Sequence, residues 1–144
     1  MNRWLFKTEP SQYSFERLVK EGRTVWDGVA NALALRHLRQ VRKGDEIAIY
    51  HTGAVKAVVG VAKAVADAKG DAVAIVPLQP TGPVSLASIR SDSRFSDFPL
   101  VRMGRLSVMP VPAALWSVLT NSSGDFVTGW ISGPGRPGGR RRTG

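Results

Sequence analysis

The sequence predicts an α+β domain, a mixed β-barrel with short helices at its edges. Two observations lead to this class. Apolar stretches of strand length are bounded by glycine, proline or aspartate, and three of them follow one another within residues 46–78, as in a meander that can curl into a barrel. Between the other stretches, helix-start residues precede apolar positions spaced three and four apart. At 144 residues, a single domain is expected.

The chain begins with one strand and one helix. Residues 3–7 (Arg-Trp-Leu-Phe-Lys) carry bulky groups suited to a half-buried sheet, and Pro10 ends the strand. Ser14 is a good N-cap for a short helix through Phe15, which Gly22 stops. Trp4, inside the strand, is predicted to lie in the core.

A second strand and a second helix follow. Residues 24–26 favour an extended conformation, and Asp27-Gly28 turns the chain. Asn31 is placed to cap a helix whose apolar positions recur at helical spacing. The predicted buried stripe consists of Leu35, Leu38 and Val41. The basic residues on the exposed side of this helix are Arg36, Arg39, Arg42 and Lys43.

The predicted meander occupies the middle of the chain. Its strands cover residues 46–50, 57–65 and 72–78. Gly60 interrupts the second strand, which indicates a bulge or a close approach of another group. A short polar turn at residues 67–71 joins the last two strands.

The last part of the chain contains shorter elements and a tail. A short helix is predicted at 85–89, a turn or brief helix at 97–100, a strand at 105–111 and a helix at 113–119, where Trp116 packs inward. We place the domain at residues 1–132. Residues 133–144, rich in glycine, proline and arginine, are expected to be a disordered basic tail.

Composition excludes several classes of protein. The sequence has no cysteine and only two histidines, so neither a metal nor a cofactor is expected. It has no apolar run near the ~20 residues that cross a membrane and no signal peptide. A cytoplasmic protein (nuclear in a eukaryote) with no membrane partner is therefore expected.

The net charge of +9 fits a polyanionic partner bound through its phosphates. The four basic residues of the predicted second helix would either bind these phosphates or form a solvated face. They are Arg36, Arg39, Arg42 and Lys43. The arginines of the tail would add non-specific affinity or only solubility. Charge alone does not decide between these readings.

The residue types near the predicted strand ends suggest a pocket for one flat polar ring. Trp26 offers a stacking face, and Asn31 and the segment Tyr50-His51-Thr52 offer polar atoms. His51 as a general base would need a nucleophile and an orienting acid, which the sequence does not place around it. We therefore expect binding rather than catalysis.

Five motifs, in order, resemble the EVE domain, a member of the PUA-like superfamily related to the YTH domain. They cover most of residues 2–120. The motifs are Trp4-Leu5-Phe6-Lys7-Thr8-Glu9-Pro10, Trp26-Asp27-Gly28-Val29 with Asn31, Lys43-Gly44-Asp45 leading to Tyr50-His51-Thr52, Val59-Gly60-Val61-Ala62, and Arg105-Leu106-Ser107-Val108-Met109-Pro110-Val111.

The resemblance implies a PUA-like barrel that reads a modified base, of the 5-methylcytosine type or another, in DNA or RNA. Trp26 would be the stacking floor, and a nuclease or ATPase would be a functional associate. Two alternatives are a protein that binds a free nucleoside or small molecule and an enzyme acting on a base. The pocket residues implied by the resemblance are Lys7, Thr8, Trp26, Val29, Asn31, Tyr50, His51 and Thr52.

Overall fold

The structure is a computed structural model that describes residues 1–120. The predicted tail at 133–144, and the end of the predicted domain before it, lie outside the described residues. The strands are β1 (Arg3–Thr8), β2 (Thr24–Trp26), β3 (Glu46–His51), β4 (Ala57–Ala64), β5 (Val73–Ser85) and β6 (Val108–Pro110). The helices are α1 (Phe15–Glu21), α2 (Ala32–Leu38), α3 (Leu86–Arg90), α4 (Pro99–Arg102) and α5 (Ala113–Leu119), with a 3-10 turn at Ser93–Phe95.

The six strands form one mixed sheet in the order β2-β5-β4-β3-β1-β6. The meander β3-β4-β5 is antiparallel, as predicted, whereas β1 and β3 are parallel. Parallel neighbours need a long crossover, and the segment holding α1, β2 and α2 supplies it. The sheet curls into a half-barrel with short helices around it, so the predicted α+β, PUA-like barrel class is confirmed.

The core is built on the two central strands. Leu5 and Phe6 of β1 and Ile47 of β3 are fully inaccessible to solvent. Trp4 and Trp116 are also buried, as predicted. Strands covered on both faces are expected to read as continuous apolar runs, which is the pattern of β1 and β3. No helix among residues 1–120 is long and apolar enough to cross a membrane.

The predicted helix ends are confirmed at three positions. The Ser14 hydroxyl accepts the Arg17 N–H, and the Asn31 side chain accepts the Ala34 N–H, both at 3.0 Å. Gly22 ends α1 with a φ of 78°, a left-handed conformation that favours glycine.

The predicted extent of the second helix was wrong. α2 ends at Leu38 with Arg39 as its C-cap, so the chain has left the helix before Arg42 and Lys43. The Asp45 carboxylate accepts the Arg42 N–H at 3.0 Å, which satisfies this donor outside a helix. The four basic residues therefore do not share one helical face. Arg36 lies in α2, Arg39 is its C-cap, and Arg42 and Lys43 lie in the loop that follows. Within the helix the buried positions are Ala34 and Leu38, while Leu35 is only partly buried.

Gly60 marks both a close approach and an irregularity in strand pairing, the two roles predicted for it. The Phe15 ring, from the start of α1, lies against it, and a Cβ at this position would come within 2.5 Å of the ring. The pairing of β4 with β5 also shifts register between Val58 and Gly60. The missing side chain lets α1 pack directly on the sheet, and α1 forms one wall of the site described next.

Candidate functional site

The site is a cavity of about 640 Å³ at the seam of the curled sheet. β1 and β2 are separated by three strands in the sheet order, yet the rings of Phe6 on β1 and Trp26 on β2 have centroids 5.4 Å apart. The curl thus brings the two strands together without pairing them. The lining residues are Lys7, Thr8, Glu9, Gln12, Tyr13, Arg17, Glu21, Thr24, Val25, Trp26, Asp27, Gly28, Val29, Ala30 and Ser107.

Two aromatic rings form a corner in this cavity. Trp26 is half-buried, and its indole is tilted by 43° from the Phe6 ring. The Tyr13 ring meets the same indole edge-on, at 88° and a centroid distance of 6.0 Å. The edge-to-face contact with Tyr13 is a favoured aromatic geometry, and the tilted Phe6 ring packs against the same indole, so the two rings hold its plane. A half-buried indole in a fixed plane is a suitable stacking surface for a flat ligand.

A polar network from α1 holds Tyr13 in place. Its hydroxyl donates to Glu21 Oε1 at 2.7 Å, and Arg17 Nε donates to Glu21 Oε2 at 3.0 Å. The Arg17 guanidinium also lies 5.1 Å from the centre of the Tyr13 ring. Burial raises the pKa of Tyr13 to about 12, so the phenol remains protonated and continues to donate to Glu21.

Lys7 and Thr8 lie on the β1 side of the cavity. The Lys7 ammonium donates to the Gly104 carbonyl at 2.7 Å, and burial lowers the pKa of this lysine. The Thr8 hydroxyl donates to the Tyr13 carbonyl at 2.7 Å. β1 is therefore tied to the segment that leads into α1. With Trp26 and Val29, these are the four predicted pocket residues that line the cavity.

The other four predicted pocket residues do not line the cavity. Asn31 is exposed at the start of α2, with its side-chain oxygen engaged in capping. Tyr50 is buried in the core with 3% of its surface exposed. Thr52 follows β3 directly and lies beside the end of β1, where its N–H donates to the Thr8 carbonyl at 2.9 Å. For these residues, and for His51, ligand contact stays a prediction.

His51 is buried and supports α1 rather than facing the cavity. Its Nε2 accepts the backbone N–H of Phe15, the first residue of α1, at 3.0 Å. An accepting Nε2 requires the neutral ring with its proton on Nδ1. Burial lowers the pKa of His51, while the nearby carboxylates of Glu16 and Glu9 raise it by less. The neutral form is therefore favoured in the folded protein.

We predict that protonation of His51 weakens the fold in mild acid. The unfolded chain takes up this proton near the ordinary pKa of 6.5, and the folded chain only at lower pH. The contribution of the neutral ring is thus present above pH 6.5 and lost as the pH falls below it. Urea unfolding at pH 7.5 and 5.5 measures the loss. His51→Gln, which keeps an acceptor but does not titrate, should show a smaller loss, and an unchanged loss would contradict the assignment.

The four predicted phosphate-binding residues are exposed, but the side chains of two of them make contacts within the protein. Arg39 forms an ion pair with Asp71 at 2.6 Å, and the Arg42 guanidinium donates to the Arg39 carbonyl at 2.9 Å. Arg36 projects from α2, and Lys43 follows in the loop. None of the four lines the cavity. Their contact with phosphates stays a prediction.

Sequence reasoning missed the wall that α1 contributes. Tyr13, Arg17 and Glu21 are spaced four residues apart, which places them on one side of a helix and of the turn before it. Polar and aromatic residues recurring at this spacing are the sequence signal that indicates this wall. The apolar positions of α1 indicate only its opposite, buried side.

One family model and several solved structures match most of this chain. The model of the EVE domain matches residues 2–122. A protein from Rhodopseudomonas palustris is 33% identical, with a TM-score of 0.79 over 84% of this chain and 92% of its own. One from Agrobacterium tumefaciens is 29% identical, with a TM-score of 0.79 over 89% and 96%.

Human THYN1, solved in complex with DNA containing 5-methylcytosine, is 21% identical and has a TM-score of 0.78 over 84% of this chain and 96% of its own. At this identity, the likeness shows a shared fold. No protein with a curated description matches the chain significantly. The family model spans nearly all of the described residues, and the chain belongs to the EVE domain family.

Proposed function

We propose that this protein is a non-catalytic reader of a modified base in a nucleic acid. The observation that carries the proposal is the Trp26 indole, held in a fixed plane by Phe6 and Tyr13 inside a cavity of about 640 Å³. Pockets for small ligands typically measure about 300–1,000 Å³, so a single base leaving its stack would fit. Stacking on the indole would supply affinity, and the polar lining would read the edge of the base.

Two further observations support a polymeric ligand. Human THYN1, which shares the fold, is described in complex with DNA containing 5-methylcytosine. The net charge of +9 favours contact with flanking phosphates. We take DNA bearing 5-methylcytosine as the first ligand to test, with RNA as the second.

The surroundings of His51 favour binding over catalysis. A general base must offer a free nitrogen to the reacting group. The Nε2 of His51 instead accepts the Phe15 N–H in the interior, and the side chain does not line the cavity. This histidine was the candidate base for an enzymatic alternative.

The test is a binding panel with the full chain. Duplexes with one central 5-methylcytosine or cytosine, and matching RNAs, are titrated at two salt concentrations. We expect tighter binding to the methylated duplex and a linear fall of log affinity with log salt. Equal binding to all members would reject the reader. Salt-independent binding of the free nucleoside, with no preference among the polymers, would favour a small-molecule binder.

A further inference from the structure

The charged groups of the cavity are unequally engaged. Its lining contains three carboxylates and two cations. Both oxygens of Glu21 accept hydrogen bonds, one from Tyr13 and one from Arg17. Glu9 Oε2 accepts from the N–H and the hydroxyl of Ser11, at 2.8 and 3.0 Å. These two carboxylates have structural roles in shaping the wall.

Asp27 differs from both glutamates. Its side chain makes no hydrogen bond or ion pair with any other residue in the range 1–120, although it lines the cavity directly after Trp26. Gly28 follows with a φ of 75°, which turns the chain away immediately after the aspartate. Within the described part of the chain, an exposed carboxylate without a partner therefore lies next to the stacking residue.

We infer that Asp27 reads the exocyclic amino group of the base that stacks on Trp26, an inference that rests on the proposed function. A carboxylate accepts hydrogen bonds and cannot donate them. It matches the amino group of cytosine or adenine and repels the carbonyl oxygen that thymine or uracil carries at the same place. The ligand class is then a modified base with an exocyclic amine.

The carboxylate excess in the lining supports this class of ligand. The cations Lys7 and Arg17 already donate to Gly104 and to Glu21 and Gln12. A phosphate inside the cavity would meet the Asp27 carboxylate, and this repulsion favours a neutral ring within the cavity, with the phosphates outside.

The experiment compares two bases that share the 5-methyl group. Identical duplexes carry 5-methylcytosine or thymine opposite the same guanine. Thymine is mispaired there and costs less to extrude, so a preference for 5-methylcytosine must come from the pocket. We expect the wild type to bind the 5-methylcytosine duplex about tenfold more tightly. Asp27→Ser should lose most of this preference.

The matched control is Asp97→Ser, which removes the same charge from an exposed carboxylate outside the cavity, together with its surface ion pair to Arg102. It should keep the wild-type preference. Equal wild-type affinity for the two bases, or an unchanged preference in Asp27→Ser, would overturn the inference. In either case, tighter binding to 5-methylcytosine than to cytosine would leave the proposed function standing. Equal wild-type affinity for 5-methylcytosine, cytosine and thymine would overturn both the inference and the proposed function.

Discussion

Trp26→Ala should reduce affinity for the methylated duplex by about tenfold to a hundredfold and erase its preference over the unmethylated one. Base–aromatic stacking contributes about 1–3 kcal/mol per base when the ring is truncated to alanine. The indole is also the part of the cavity that Phe6 and Tyr13 hold in place, so its loss removes the surface and leaves its supports. Fluorescence anisotropy with both duplexes at low salt measures the change.

Two controls separate lost stacking from lost folding. Trp26→Phe keeps an aromatic face and should retain a reduced preference for the methylated duplex. Val25→Ala truncates the exposed neighbour on β2, which lines the same cavity without a ring, and should bind nearly as the wild type does. Because Trp26 is only half-buried, the alanine variant should fold. A folded Trp26→Ala protein that still prefers 5-methylcytosine would refute the stacking role.

Local signals in the sequence were sufficient to predict the strands and helices but not how the sheet curls to form the cavity. Ser14, Gly22 and Asn31 set helix ends through contacts with residues a few positions away, and such contacts are visible in a single sequence. The end of α2 lacks such a signal, because no glycine or proline stands between its C-cap, Arg39, and Gly44. The loop after α2 is held by Asp45, whose carboxylate accepts the indole N–H of Trp4 from the first strand, and a contact between residues so far apart becomes apparent only in the folded chain.

The candidate site follows the same division. Trp26 and Lys7 are recognisable as pocket residues from their motifs, and both line the cavity. His51 belongs to an equally clear motif, yet it accepts the Phe15 N–H from behind α1. The two motifs divide by strand rather than by alternation along a strand, because Lys7 and Thr8 of β1 both line the cavity whereas Tyr50, His51 and Thr52 all lie outside it. The curl of the sheet, which no single motif encodes, decides which strand ends face the cavity.

The two sides of α1 make different contacts, one with the cavity wall and the other with the core. Its exposed side carries the Arg17–Glu21 pair that fixes Tyr13 against the indole. Its buried side rests on Gly60 through the Phe15 ring and is tethered by His51. A change on the buried side should therefore alter the cavity as well as the stability of the fold.

Asp45→Ala should lower the free energy of unfolding by about 3 kcal/mol or more. The Asp45 carboxylate is buried and accepts three N–H groups, from the Asn2 backbone at 3.0 Å, the Trp4 indole at 2.9 Å and the Arg42 backbone at 3.0 Å. Each donor left without a partner costs about 1–3 kcal/mol, less where water can reach it. Small domains are stable by only about 5–15 kcal/mol, so the loss is a large share.

Urea unfolding of Asp45→Ala and Asp71→Ala measures this prediction against a matched surface change. Asp71 pairs with Arg39 in solvent, where an ion pair contributes about 0–1 kcal/mol, so its loss should be small. Asp45→Asn, which keeps one oxygen acceptor, should fall between the two. Asp45 binds the start of β1, whereas Lys7 and Thr8, at the other end of the same strand, line the cavity. Folded Asp45→Asn should therefore keep its preference for the methylated duplex. An Asp45→Ala protein as stable as Asp71→Ala would show that the three hydrogen bonds do not hold the strand.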